Sequence, residues 1–245
     1  LRGYMVDSTG KPTVYASAIN QVLQAAGRFG VNREQLLALE QLEPGWLSQP
    51  DERLPVERLF EVYRLAAEFS RCPDLGLYVG RVNFFRGLNL LLYMSTICST
   101  FKDYLNLVPS ILKMAGDIGE VVIERDQELL RLEWRPLVES TAQERFLSDE
   151  ILGSSQAIVN ALCIDPIPVR RAHFSYPKPQ DTSQLELVFG QELHFDQEVS
   201  CLFFDRIALR SPVIQLDYEL SEGFTHSLRD LFEDEQTKDP FLASV

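Results

Sequence analysis

The hydrophobic period of this chain changes near residue 117, and that change limits the folds it can adopt more than any single motif does. Before it, apolar residues recur three and four positions apart, the spacing of amphipathic helices; after it they alternate, as half-buried strands do. Helices first and strands later, with further helices between the strands, make an α+β chain and not a doubly wound parallel sheet.

In VYASAINQVLQAAGRFG, Tyr15, Ala18, Ile19, Val22, Leu23 and Ala26 share one helical face, and Gly30 closes the segment. Asn32 is placed to cap a second helix, REQLLALEQL. Helix, glycine turn and helix could read DNA, but the second helix carries Glu34 and Glu40 against a single Arg33, a poor charge pattern for lying on phosphates. Pro55 sits where a first helical residue is favoured, and Leu59, Phe60, Tyr63, Ala66 and Ala67 form the stripe of a third helix that Pro73 stops. DLGLYVGRVNFFRGLNLLLYMSTICS is apolar on nearly all sides and is expected deep in the domain. Thr100 and Asp103 have the spacing of a capping box for the next helix, in which Pro109 should introduce a kink.

Past residue 117, EVVIERDQELLRLEW alternates on both sides of Asp126 and Gln127, with Val121 and Ile123 on one face and Leu130, Leu132 and Trp134 on the other strand's equivalent face. That is a hairpin. A helix over roughly 143 to 163 follows, then a strand VRRAHFSY and a short helix over QLELVFG, closed by Gly190 in a left-handed conformation. Leu193 and Phe195 alternate with polar neighbours, and Cys201 to Phe204 form a short apolar run, so two more strands are expected. The fold class is therefore α+β, a helical N-terminal part followed by a mainly antiparallel sheet with interspersed helices. Residues 1–12 read as a tag or flexible N-terminus, and residues 13–218 as one domain, helical over 13–116 and α+β over 117–218. Residues 219–245 read as an acidic linker helix whose sticky side holds Phe224, Leu228 and Leu231, the candidate dimerisation residues.

Composition removes several classes of function. The formal charge of −13 opposes binding of nucleic-acid backbones by this chain alone. No run reaches the roughly 20 apolar residues of a membrane helix, because GLNLLLYMSTIC is cut by Asn89 and Ser99, so a cytoplasmic protein is expected. Cys72, Cys98, Cys163 and Cys201 are far apart with no metal-ligand spacing, and read as reduced core thiols. His173, His194 and His226 stand in separate elements, and neither GxGxxG nor GxxxxGK[ST] occurs; the glycines of GLYVG lack the preceding strand that a phosphate loop needs. No catalytic residue, metal or cofactor is indicated.

What remains is a polar inlay in an apolar segment. Arg81, Asn83, Arg86, Asn89 and Tyr93 interleave with Phe84, Phe85, Leu88 and Leu92; of these Arg81, Asn83, Arg86 and Tyr93, together with Trp134, are the candidate ligand contacts. An apolar pocket with one or two fixed guanidinium groups suits a carboxylate-bearing or mostly apolar small molecule, although a surface ion pair or helix cap is the competing role for each arginine.

The order of segments resembles the N-terminal effector domain of AraC-type transcription regulators, the arabinose-binding-domain-like subgroup. The resemblance rests on PDLGLYVGRVNFFRGLNLLLYMSTICSTFKDYL, EVVIERDQELLRLEW, RRAHFSYPKP and VFGQELHFDQEVSCLFFDRIALRSPV, and covers about residues 15 to 220. Arg210 and Ser211 between Leu209 and Pro212 make the last motif looser than the family's leucine-proline close. The resemblance implies a ligand-sensing regulatory domain that acts on DNA only through a helix-turn-helix domain expected beyond Val245, with a homodimer as the assembly that reads paired half-sites. No ligand signature carries over. The competing class is a small-molecule hydrolase or transferase, and the two differ at the site: a closed apolar cavity with one or two arginines favours a sensor, whereas an open cleft with hydrogen-bonded Ser or Cys, His and carboxylate favours an enzyme.

Overall fold

A computed structural model describes residues 12–40, 42, 45, 47, 49, 52–86, 88–113, 116–137 and 144–215. The acidic segment 219–245, with Phe224, Leu228 and Leu231, and residues 1–11 lie outside them, as do the side chain of Arg86 and His226.

The helical half begins with a strand. Thr13–Tyr15 (β1) pairs antiparallel with Arg53–Pro55 (β2), an element with no counterpart in the sequence reading, because three residues are too few to show an alternation. Tyr15 thus ends a strand and does not belong to the helical stripe. Helix α1 (Ala16–Gly27) buries Ile19, Val22, Leu23 and Ala26 as its spacing requires, and Gly30 beyond it takes φ +79°. Asn32 caps α2 (Arg33–Leu39) through the Gln35 amide. Pro55 immediately precedes α3 (Val56–Ser70), whose buried stripe includes Leu59, Phe60 and Tyr63.

The long apolar segment forms two helices, α4 (Leu75–Arg86) and α5 (Leu88–Ile97), and only part of it is deep. Leu75, Leu77 and Val79 are buried, but Tyr93 and Ile97 stand exposed on α5. The capping box forms as its spacing predicts: Thr100 Oγ1 accepts from the Asp103 amide, and Asp103 accepts from the Thr100 amide, at the start of α6 (Phe101–Leu112).

The hairpin is β3 (Gly119–Arg125) with β4 (Leu129–Pro136), Val121 opposite Trp134 and Ile123 opposite Leu132. Helix α7 (Glu144–Leu162), β5 (Arg171–His173), α8 (Ser183–Phe189), β6 (Leu193–His194) and β7 (Ser200–Asp205) complete the order, and Gly190 takes φ +86° after α8. The five strands lie in the order β3-β4-β7-β5-β6, antiparallel except for the β5–β6 edge pair.

One sheet face, with Val121, Leu130, Leu132, Trp134, Ala172, Leu202 and Phe204, is buried in the core shared with the helices. Phe101 of α6 meets Phe204 edge-on at 5.7 Å, tying the helical half to the sheet. Behind the sheet, α4 and α7 approach each other unusually closely. Gly76 and Gly80 of α4 face the backbone of α7 at Phe146 and Glu150, and Gly153 faces Leu77 in return. The glycines of GLYVG therefore serve helix packing.

Candidate functional site

On the side of α4 away from α7, Tyr78, Arg81 and Val82 stand at i, i+3 and i+4 and form one wall of a groove. The other wall is the end of α1, with Gln24, Arg28 and Phe29, and Ala25 beneath. The hollow measures about 410 Å³, within the range of small-molecule sites. Phe29 meets Tyr78 edge-on at 4.9 Å, and the Arg81 guanidinium lies 5.7 Å from the centre of the Tyr78 ring. Among the described residues neither Arg28 nor Arg81 has a carboxylate at ion-pair distance, and no carboxylate lines the groove. Two exposed cations beside two aromatic rings can hold an anionic head against an apolar body.

The sequence candidates do not converge on this groove. Arg81 lies in it. Asn83, on the opposite face of α4, points to α7, where its Nδ2 donates to Glu150. Trp134 is enclosed beneath the sheet, with Gly119 against its ring. Tyr93 is 57% exposed on α5. Arg28, Phe29 and Tyr78 were missed: Arg28 and Phe29 follow a helix end in the sequence, and nothing local says which helix will pack beside them.

Under the groove helix lies a buried polar network. Glu150 accepts hydrogen bonds from the Tyr63 hydroxyl of α3 and from Asn83. Its neighbour Asp149 accepts from Tyr176 and, at 3.3 Å, from Arg145 Nε, while Arg145 Nη2 reaches Asp74 at 2.6 Å. Burial pushes both carboxyl groups up to about 7; hydrogen bonds to Tyr176 and Arg145 oppose this for Asp149, and those to Tyr63 and Asn83 for Glu150.

The outer sheet face carries the histidines. Register sets His173 beside His194, ring centres 5.2 Å apart, so the structure joins two histidines that the sequence leaves in separate elements. His173 also lies opposite Cys201, and a hollow of about 350 Å³ there is lined by Glu133 and both of these residues. This row lacks the activation a nucleophile needs. Burial pushes the Cys201 thiol up to about 12, and among the described residues no hydrogen bond joins it to His173. Arg131 and Arg135 in the same hollow are already bound to Glu133, and Glu198 lines it too, so two guanidinium groups face two carboxylates and little net charge is left for an anion. No group of three or more metal-ligating side chains occurs among the described residues, and none of their helices is long and apolar enough to cross a membrane.

Residues 30–213 match the family described as the arabinose-binding domain of AraC transcription regulators, N-terminal. The chain belongs to this family. It is a ligand-sensing regulatory domain of the AraC type. One relative is the ornithine utilization regulator of Pseudomonas aeruginosa (strain PAO1), 24% identical over 189 residues, which are 76% of this chain and 54% of the relative. The crystal structure of the transcriptional regulator CdpR from the same species is similar in fold, with a TM-score of 0.53 and 14% identity, over 75% of this chain and 56% of that one. The chain thus spans about half the length of the relatives it matches.

Proposed function

We propose that this domain senses a small molecule with a carboxylate on an apolar body, held in the groove between α1 and α4. The observation that carries the reading is the pair Arg28 and Arg81, without acidic partners among the described residues, flanking Phe29 and Tyr78. The relative's name concerns ornithine, but a groove lined, among the described residues, by two guanidinium groups and no carboxylate favours an acid with an uncharged body over a diamino acid.

The effector acts by binding one arrangement of the domain better than another. Helix α4 is suited to transmit it: Tyr78, Arg81 and Val82 face the groove, while Gly76, Gly80 and Asn83 face α7. DNA is contacted by a separate helix-turn-helix domain in the cytoplasm, since this chain carries a formal charge of −13, and a dimer is the assembly that matches paired half-sites.

Native mass spectrometry of the purified chain tests the reading. A co-purified molecule bearing a carboxylate, released on replacing Arg81 by alanine, supports it. A co-purified polyamine that R81A retains contradicts it.

A further inference from the structure

Glu150 is buried where α3, α4 and α7 meet, with no cation at ion-pair distance among the described residues. Arg145, one turn earlier on α7, is committed to Asp74 and Asp149. The groups that face Glu150 are Tyr63 from α3 and Asn83 from α4; Asp149 follows along α7, with Arg145, Asp74 and Tyr176 around it. Tyr63 stays protonated, its hydroxyl held well above its ordinary range by burial and by the adjacent acids, so it remains a donor.

The hydrogen-bond count around a Glu150 carboxylate does not close. Tyr63 and Asn83 Nδ2 both donate to it, yet Asn83 Oδ1, on the same amide, is buried and has no donor among the described residues. Such an orphaned acceptor is unfavourable, because it has given up water without gaining a donor. A carboxylic acid would close the count: with Asn83 Nδ2 donating to Oε1 and Tyr63 to Oε2, an acid O–H on Oε2 would supply the donor that Asn83 Oδ1 lacks. Acid and amide would then share a two-bond ring.

We propose that Glu150 and Asn83 form a proton-binding pair that takes a proton from water, locks α4 to α7 when occupied, and loosens that junction when the proton is lost. The close approach at Gly80 makes the pair possible, because it brings the two backbones near enough for these short side chains to meet. Burial pushes the carboxyl up to about 7 from 4.5, so the exchange falls between mildly acidic and neutral pH. The sign follows: the folded chain holds a proton that the unfolded chain has released, so this contribution is full below about pH 4.5 and is lost as pH rises to about 7. The proton-binding pair is independent of the identity of the effector and of the groove.

The test is the folding equilibrium of the 245-residue chain between about pH 5 and pH 9, for the wild type and for Glu150→Gln, whose amide mimics the neutral acid. The ratio of the folding constant of E150Q to that of the wild type should rise about tenfold per pH unit up to about 7 and then level. Asp149 also titrates, so Asp149→Asn is measured in parallel and should leave the slope assigned to Glu150 in place. Infrared spectra of wild-type protein with carboxyl-labelled glutamate give a second readout: an isotope-shifted band of a protonated carboxyl should be present at about pH 6 and gone at about pH 9. This readout also decides the matter if E150Q fails to fold. A pH-independent ratio, or no labelled acid band at about pH 6, overturns the proposal.

Discussion

Gly80 of α4 lies so close to Glu150 of α7 that a methyl group on Gly80 would stand 2.8 Å from the Glu150 carbonyl oxygen. At Gly76 the equivalent approach, to the carbonyl of Phe146, is closer still. Backbone cannot yield as a side chain can, so both Gly76→Ala and Gly80→Ala should force the helices apart and destabilise the chain by about 1–3 kcal/mol, Gly76→Ala more. Gly27, at the end of α1, has open space where a methyl group would go, with nothing within 4 Å, and Gly27→Ala should be neutral or stabilising by up to about 1 kcal/mol. Urea unfolding of the three variants measures this.

Removing Arg145 should expose how the buried acids are balanced. Arg145→Ala leaves Asp74 and Asp149 without their shared cation, the latter fully enclosed. Breaking a buried pair of this kind costs about 3–5 kcal/mol when the orphaned charge cannot neutralise. Burial already pushes Asp149 up to about 7, so below that pH it can take a proton and escape the penalty. The deficit of R145A against the wild type should therefore be small near pH 5 and grow as pH rises through about 7, read from denaturant midpoints across that range.

All four cysteines are buried and free, and burial pushes the Cys163 thiol up to about 11 and Cys201 up to about 12. The reactive species is the thiolate. A disulfide-forming reagent at neutral pH should label far less than one thiol per native chain within the time that labels all four in denaturant. Rapid labelling of the native chain would place at least one of them in an accessible, activated setting.

Much of the fold could be read from the sequence where one residue decides a local structure. Asn32 and the Thr100–Asp103 pair cap helices as their spacing dictates, since a cap needs only neighbours a turn away. The hairpin register of Val121 with Trp134 follows from alternation on both sides of one turn. Strands β1 and β2 stayed hidden because three residues carry no period and their pairing is made across some forty residues. The site was less legible for the same reason. Arg81 could be singled out within its own segment, but Arg28 and Phe29 join it only when α1 packs beside α4. Asn83 stood out as a polar residue in an apolar segment, yet its partner Glu150 comes from a helix far away in the chain. The pairing of His173 with His194 likewise exists only in the strand order.

The groove between α1 and α4 is the centre of the proposed sensing function, and ligand-induced thermal stabilisation tests it most directly. The probes are benzoate, phenylacetate, octanoate and ornithine, each titrated into the wild type, Arg28→Ala and Arg81→Ala. Saturation at about a hundred times the dissociation constant adds about 2.7 kcal/mol to stability, which is a readily measured shift in midpoint. At least one monocarboxylate should stabilise the wild type, either alanine variant should lose most of that shift while keeping its unliganded midpoint, and ornithine should give less. A carboxylate that stabilises both variants as fully as the wild type, or ornithine as the sole stabilising probe, would contradict a carboxylate site in this groove.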